Sequence, residues 1–215
     1  MDSLVQVSLF AMTVSSGEQV AVAQINIEDG WHIYWENPGQ SGYPTEFSGE
    51  CVADTVYAPP HRFTMPGGII NYGYEGSVRL FGTGNCQTGD VVTLSWLSCR
   101  EDTCIPGEHH GPLNALPNGS ISTVQQEWNR NTNTTAFPRH SEGWAIVLAV
   151  SPQARIEFFP TAELEALSLE PVVTSGFWRQ RWQLKGPLPI PQSEKLVVRV
   201  EKQGKEKIII FTSEE

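Results

Sequence analysis

Apolar and polar positions alternate along much of the chain, and this alternation is typical of β-strands. Polar residues separate Val5, Val7 and Leu9, and the same alternation includes Ile25 and Ile27. Similar strand-like runs occupy residues 31–35, 77–81 and 91–97. Dense Gly and Pro turn signals separate these runs. Many short strands with regular turns predict an all-β fold built as a sandwich of antiparallel sheets.

The pattern changes after Pro117 and indicates two β domains joined by a short connection. Residues 121–128 predict a short helix behind a Ser120 N-cap, and the polar run that follows has no apolar period. The strand pattern resumes at residues 144–150, 155–159, 177–184, 196–200 and 207–211. We therefore expect three parts, which are a sandwich over residues 1–120, a helix and linker over 121–141, and a second, smaller β-sandwich-like domain over 142–215.

Charge and hydropathy argue against several classes of function. The 14 Lys and Arg residues are outnumbered by 24 Asp and Glu residues, which gives a formal net charge of −10. Such an acidic chain argues against nucleic acid and against an anionic membrane surface as partners. The longest apolar run, residues 144–150, is far shorter than the roughly 20 residues that span a bilayer. No secretory leader is recognisable, so we expect either a cytosolic protein or one whose leader has been removed.

Four cysteines carry the most chemical information, and their even number suits two disulfides with three possible pairings. Cys99 ends an apolar strand and Cys104 begins the return strand, so the two can face each other at about 5 Å between Cα atoms. In the chain-entropy model, a bond between them stabilises the fold by roughly 2 kcal/mol, whereas a bond between Cys51 and Cys86 gives about 4 kcal/mol. The short loop is typical of a bond that another thiolate can attack, and the long loop of a structural staple.

Other interpretations stay open on spacing alone. Both cysteine pairs could be inert staples of a secreted β domain. Cys99, Cys104, His109 and His110 form a C-x4-C-x4-H-H spacing that could hold a metal ion, although adjacent histidines point to different sides of an extended chain. A Cys–His hydrolase fits less well, because no oxyanion turn surrounds either cysteine.

Three blocks of sequence resemble one known family, and they occur in the family's order. They are residues 30–45 (Gly-Trp-His-Ile-Tyr-Trp-Glu-Asn-Pro-Gly, then Ser-Gly-Tyr-Pro-Thr), residues 71–76 (Asn-Tyr-Gly-Tyr-Glu-Gly), and residues 96–106, where Trp-Leu-Ser-Cys is followed by Cys-Ile-Pro. Together they resemble the amino-terminal periplasmic domain of DsbD-type thiol:disulfide interchange proteins. Residues 158–160 resemble the longer, two-part version of this region.

The resemblance implies an immunoglobulin-like sandwich that carries a redox-active cysteine pair and needs no cofactor. By position, Cys99 and Cys104 would be that pair. The family shields its pair with an aromatic cap loop, and Tyr72 or Tyr74 would be the lid here.

Two further sets of residues are interpreted against the same family pattern. Cys51 and Cys86 are additional to it, and we expect them to form a structural disulfide rather than a second relay pair. His32 and Tyr34 lie where the family has aromatic residues near the redox pair.

The resemblance also implies a function, a location and partners. Two electrons would pass from a membrane-embedded domain of the same polypeptide to oxidised thioredoxin-like periplasmic proteins, namely disulfide isomerases and cytochrome c maturation thioredoxins. A thioredoxin-like domain of the full-length polypeptide is a further implied partner. We expect Cys104, at the exposed end of the hairpin, to attack the partner's disulfide and Cys99 to resolve the adduct. The alternative is an extracytoplasmic binding, adhesion or chaperone-like module with purely structural disulfides.

Overall fold

The chain folds into two compact units, Met1–Thr132 and Asn133–Glu215. The computed structural model describes residues 4–137, 139–140, 143–151, 153–162, 164, 172–175, 180–186 and 195–212. Over these residues the chain is mostly β-strand with few helices, which confirms the predicted all-β fold class. No helix in the described part of the chain is both long and apolar enough to cross a bilayer.

The first unit contains two sheets, one short helix and two 3-10 turns at Pro66–Gly68 and Asn118–Ser120. Its strands and helix are β1 (Val5–Thr13), β2 (Gln19–Ile27), β3 (His32–Gly39), β4 (Glu46–Gly49), β5 (Val52–Val56), β6 (His61–Thr64), β7 (Ile70–Tyr74), β8 (Ser77–Gly84), β9 (Val91–Arg100), β10 (Thr103–Pro112), β11 (Asn114–Ala115) and α1 (Ile121–Thr132).

The two sheets of the first unit form an immunoglobulin-like antiparallel sandwich. One sheet has the order β11-β1-β2-β8-β5, in which β11 pairs with β1 in parallel. The other has the order β10-β9-β3-β7-β6, with β4 also paired to β9. We name this second sheet the cysteine sheet, because Cys99 and Cys104 lie on it. Strand β10 forms its edge, and β9 is flanked on both sides.

Helix α1 packs onto the first sheet. Val124 and Trp128, one helical turn apart, lie in one apolar cluster with Val20, Val22 and Phe81, among other residues. The Trp128 ring meets Phe81 edge-on, with 5.4 Å between ring centroids. The sequence predicted a short helix and a polar linker over 121–141, after a domain that ends at residue 120. In the structure the helix is present and belongs to the first unit, which ends at Thr132.

The second unit is also built from two sheets. Its strands are β12 (Thr134–Ala136), β13 (Arg139–His140), β14 (Gly143–Val150), β15 (Arg155–Pro160), β16 (Val172–Ser175), β17 (Gln180–Gly186), β18 (Lys195–Lys202) and β19 (Lys205–Thr212). The sheet orders are β12-β19-β18-β15 and β13-β14-β17-β16. Phe137, Trp144 and Phe211 belong to its core. The predicted strand 177–184 overlaps β17, and residues 177–179 lie outside the described ranges.

Candidate active site

The candidate site is the tip of the β9–β10 hairpin. Antiparallel pairing joins Arg100 to Thr103, and the turn consists of Glu101 and Asp102. Glu101 adopts the left-handed region with φ of 51°, a conformation that such tight hairpin turns require.

Cys99 and Cys104 occupy opposite positions on the two strands of this hairpin. They are joined by a disulfide of 2.04 Å, with 4.2 Å between their Cα atoms. This separation resembles that of a non-hydrogen-bonded cross-strand pair, in which side chains approach most closely. The backbone pairing therefore holds the two sulfur atoms together without any contribution from distant parts of the chain.

The two cysteines differ in their access to solvent. Cys99 is fully buried, at 0% exposure, whereas Cys104 is exposed. The difference follows from the sheet order, because β9 lies between two strands and β10 is an edge. A protein that approaches this disulfide therefore meets Cys104 before Cys99.

His32 lies on β3 directly opposite Cys99, on the same face of the cysteine sheet. Its side chain is only 5% exposed, and no residue in the described part of the chain hydrogen-bonds to its buried Nε2 atom. Phe63 stacks on its ring at 5.0 Å, and Tyr34 meets it edge-on at 5.2 Å. Burial lowers the pKa of His32 from its ordinary value, so the imidazole is neutral at neutral pH.

The hairpin tip carries more negative than positive charge near the disulfide. Glu101 and Asp102 are exposed in the turn. The one cation of the tip, the Arg100 guanidinium, lies over the Trp31 ring at 4.9 Å from its centroid. Carboxylates near a thiol disfavour its thiolate form, because their negative charges repel that of the thiolate.

The structure does not bring Tyr72 and Tyr74 together with the disulfide. Tyr74 pairs with Ile33, the residue after His32, so its side chain lies on the opposite face of the sheet from Cys99. Tyr72 lies two residues away on that same face, and the rings are 8% and 2% exposed. A capping role for either tyrosine stays a prediction.

Core contacts account for the burial of both tyrosines. The Tyr72 ring meets Trp35 edge-on at 6.4 Å. The Tyr74 hydroxyl donates a hydrogen bond of 2.7 Å to the carbonyl of Ala58, and burial raises the pKa of this hydroxyl. These contacts are those of sandwich core residues.

Phe63 is the aromatic residue that the sequence interpretation missed. It pairs with Asn71, which places it on the face of the sheet that carries Cys99. The intervening strand β7 presents Gly73 on this face, paired with Tyr34. The sequence offered one signal. Phe63 lies in a short run that ends at a Pro-Gly turn, and a strand there would place it on the same face as His61, two residues earlier.

A groove of about 540 Å³ lies beside the disulfide on the hairpin. The residues that line it are Tyr43, Pro44, Glu46, Ser95, Trp96, Leu97, Pro106, Gly107 and Glu108. Leu97 and Pro106 form the cross-strand pair two positions from Cys99 and Cys104, so the groove begins about 6.7 Å along the hairpin from the cysteine pair. The Trp96 indole lies across Gly107, where a β-carbon would collide with the ring.

The second disulfide joins Cys51 to Cys86, with 5.0 Å between their Cα atoms. It connects the turn before β5 with the segment after β8, and Cys86 is buried. Gly84, with φ of 138°, lies against the carbonyl of Cys51, where a side chain would collide. Cys86 is thus buried and Cys51 half-buried, and this disulfide joins segments other than the β9–β10 hairpin.

The alternative of a metal centre finds no ligand cluster in the structure. Among the described residues, no three His, Cys, Asp or Glu side chains are grouped as metal ligands. Both nearby cysteines are bonded to each other. His110 forms a 2.9 Å hydrogen bond with Thr93 through its Nδ1 atom, further along β10 from the turn.

Comparisons with known proteins identify a family for the first unit. The family described as thiol:disulfide interchange protein DsbD, N-terminal, matches residues 1–113. The crystal structure of the N-terminal periplasmic domain of ScsB from Proteus mirabilis is similar in fold, with a TM-score of 0.62 and 16% identity over 97% of this chain and 93% of that chain. A marsupial T cell receptor covers 100% of this chain and 99% of its own at 8% identity, but its TM-score of 0.26 supports no argument. No curated protein sequence is significantly similar to the chain.

Proposed function

Because the chain belongs to the family of the N-terminal domain of the thiol:disulfide interchange protein DsbD, we propose that it reduces disulfides of partner proteins through Cys99 and Cys104. The single observation that carries the proposal is the difference in burial within this pair. An exposed sulfur bonded to a buried one presents a single point of attack at the edge of a rigid sheet.

Opening this bond costs the fold little. The loop that it closes is short, and chain entropy assigns it roughly 2 kcal/mol. Backbone pairing continues on either side of the cysteines, and the Ser98 hydroxyl donates a 2.9 Å hydrogen bond to the carbonyl of Ile105 across the hairpin. These contacts do not depend on the disulfide, so the hairpin keeps its geometry when the pair is reduced.

The exchange proceeds in two steps that balance two electrons and two protons. The Cys104 thiolate attacks one sulfur of the partner's disulfide, and the partner's other sulfur leaves as a thiolate that takes up a proton. Cys99 then loses its proton and attacks the Cys104 sulfur of this mixed disulfide. The Cys99–Cys104 bond re-forms, and the partner departs as a dithiol. The cross-strand pairing holds Cys99 within reach for the second step, which makes it effectively intramolecular.

The hairpin charges suit a reductant that reacts only with a docked partner. Glu101 and Asp102 favour the protonated thiol in the free protein. A partner that covers the turn changes the equilibrium between thiol and thiolate. We name the face of the cysteine sheet that carries Cys99 and Cys104 the cysteine face. On this face we assign the shielding of Cys99 to Phe63 and Tyr34, which contact His32 beside Cys99.

The family also suggests where the electrons come from and go to. We propose that a membrane-embedded domain of the full-length polypeptide reduces Cys99 and Cys104 in the periplasm. Thioredoxin-like proteins, such as disulfide isomerases and cytochrome c maturation thioredoxins, then accept the electrons. A thioredoxin-like domain of the same polypeptide is a further exchange partner. The chemistry uses sulfur atoms alone and needs no cofactor. The second β unit provides a spacer or additional partner surface.

A trapping experiment tests the roles of the two cysteines. The Cys99→Ala and Cys104→Ala variants are mixed with an oxidised thioredoxin-like protein, and adducts are separated on a non-reducing gel. We expect a stable adduct only with Cys99→Ala, because its Cys104 attacks but nothing resolves the bond. An adduct only with Cys104→Ala reverses the assignment. The matched control Cys51→Ala/Cys86→Ala should exchange without trapping.

A thiol count under graded reductant separates the proposed function from a purely structural one. We expect one pair to open reversibly in the folded protein, at a potential near that of other periplasmic oxidoreductases. If both bonds open only after unfolding, the protein is a binding or chaperone-like module with inert disulfides.

A further inference from the structure

We propose that the cysteine face of the β9–β10 hairpin recognises the partner's sequence around its attacked cysteine. The selected partner segment is extended, with an apolar side chain two residues from the cysteine and a basic side chain four residues from it. This inference rests on the proposed function and names the class of substrate that the site prefers.

Three successive cross-strand pairs on this face have different chemistry. The first is the disulfide itself, the second is Leu97 with Pro106, and the third is Ser95 with Glu108. Successive side chains alternate between faces of a strand, so pairs separated by two positions lie on the same face. The face therefore runs from sulfur to apolar to acidic as it leaves the hairpin turn.

The acidic pair extends onto a third strand. Ser95 is also paired with Glu46 on β4, so Glu46, Ser95 and Glu108 form one row across three strands. Both glutamates are exposed, and the small Ser95 between them leaves room for a long side chain. The two charged residues that line the groove are these two glutamates, so the groove is complementary to Lys or Arg.

The spacing of the three pairs matches that of an extended peptide. Two residues of a β-strand span about 6.7 Å, both in the hairpin and in a partner segment that lies along it. When the partner's cysteine contacts Cys104, its side chain two residues away meets Leu97 and Pro106. The side chain four residues away then meets the acidic row.

The walls of the groove favour recognition by side chains over addition of a strand. Tyr43 is 72% exposed and stands with Pro44 at one side of the groove, where it offers an aromatic surface. Pro106 lacks an N–H donor, which weakens the edge strand as a template for a further β-strand. The groove therefore reads the identity of side chains at alternate positions.

Peptide disulfides test the inference on the full chain. The probe is a short peptide with a central cysteine bonded to glutathione, Leu two residues from the cysteine and Lys four residues from it on both sides. In one comparison peptide, Lys stands three residues from the cysteine, and in the other, Glu replaces Lys. Reduced protein converts each probe to free peptide thiol and glutathione while its own cysteine pair is oxidised.

We expect the second-order rate constant for the probe to exceed that for either comparison peptide by about five- to tenfold at low salt, because exposed ion pairs are individually weak but two act together. The variant Glu46→Gln/Glu108→Gln should lose this preference, and the matched control Glu50→Gln, an exposed acid outside the groove lining, should keep it. Oxidised glutathione, which is too small to span the hairpin from the cysteine pair to the acidic row, should still be reduced by every variant, which shows that the cysteine pair remains reactive.

Two results would overturn the inference in different ways. Equal rates for all three peptides, with normal reduction of oxidised glutathione, refute the recognition rule and leave the proposed function intact. Failure to reduce any disulfide, including oxidised glutathione, refutes the proposed function and the inference with it.

Discussion

The two disulfides give the sharpest quantitative prediction, because they close loops of very different length. Cys51 and Cys86 are 35 positions apart, whereas Cys99 and Cys104 are 5 apart. Loop-closure entropy predicts that removal of the long-range bond lowers the free energy of unfolding by about 4 kcal/mol, and removal of the short one by about 2 kcal/mol. Each pair has one fully buried cysteine, so the packing lost on substitution by alanine is similar and largely cancels.

The perturbation is a pair of double variants, Cys51→Ala/Cys86→Ala and Cys99→Ala/Cys104→Ala. Equilibrium unfolding in urea is followed by hydrogen exchange and mass spectrometry of peptides from residues 5–27, which report on the first unit alone. With a denaturant slope of about 2 kcal/mol per M, a difference of about 2 kcal/mol separates the two midpoints by about 1 M urea. The Cys51→Ala/Cys86→Ala variant should have the lower midpoint.

The result that refutes this reasoning is a Cys99→Ala/Cys104→Ala variant that is destabilised as much as the other, or more. The hairpin disulfide would then be a staple, and a protein that opened it in every cycle would lose stability each time. Unsubstituted protein provides the control. With mild reductant its midpoint should move by no more than that of the Cys99→Ala/Cys104→Ala variant.

Three further predictions follow from single side chains. Trp128→Ala should lower the stability of the first unit by about 3–5 kcal/mol, measured by the same urea unfolding, and an unchanged midpoint would mean that the helix is a linker. Tyr74→Phe should cost about 1 kcal/mol through the lost bond to Ala58 yet leave exchange rates unchanged, whereas altered rates would support a cap role. Buried His32 has a lowered pKa, so the unfolded state takes up its proton first and stability falls as pH drops below about 6.5, by at most about 1.4 kcal/mol per pH unit. His32→Phe should show a shallower fall in urea midpoints between pH 7 and pH 5, and an unchanged slope would contradict this account.

Much of the first unit could be predicted from alternation and turns. Strands β1, β2, β3, β8 and β9 overlap runs recognised in the sequence, because their apolar residues recur at strand spacing between turn signals. Strand β10 was recognised only at its start, near Cys104. Its extent to Pro112 was missed, since its prolines and histidines show no apolar period and an edge strand has little need of one. Helix α1 extends four residues beyond its predicted end at residue 128, because packing of its apolar side decides its length rather than local propensity.

The site shows the same division between local and long-range information. The hairpin and its cysteine pair follow from the local spacing of Cys99 and Cys104. Which face of the sheet an aromatic residue occupies depends on strand register, and a shift of one position exchanges the two faces. A motif match therefore located the strand of Tyr72 and Tyr74 but not the side to which they point. It also gave no sign of Phe63, which reaches the face from another strand.

The edge position of Cys104 has a kinetic consequence. In the proposed exchange, the electron donor and the electron acceptor must both react at Cys104, because Cys99 is buried and Cys104 is exposed. They cannot do so at the same time, so donor and acceptor compete for one binding site and no ternary complex forms. Steady-state kinetics are then of the ping-pong type. An excess of donor inhibits the reaction with the acceptor, and an excess of acceptor inhibits the reaction with the donor.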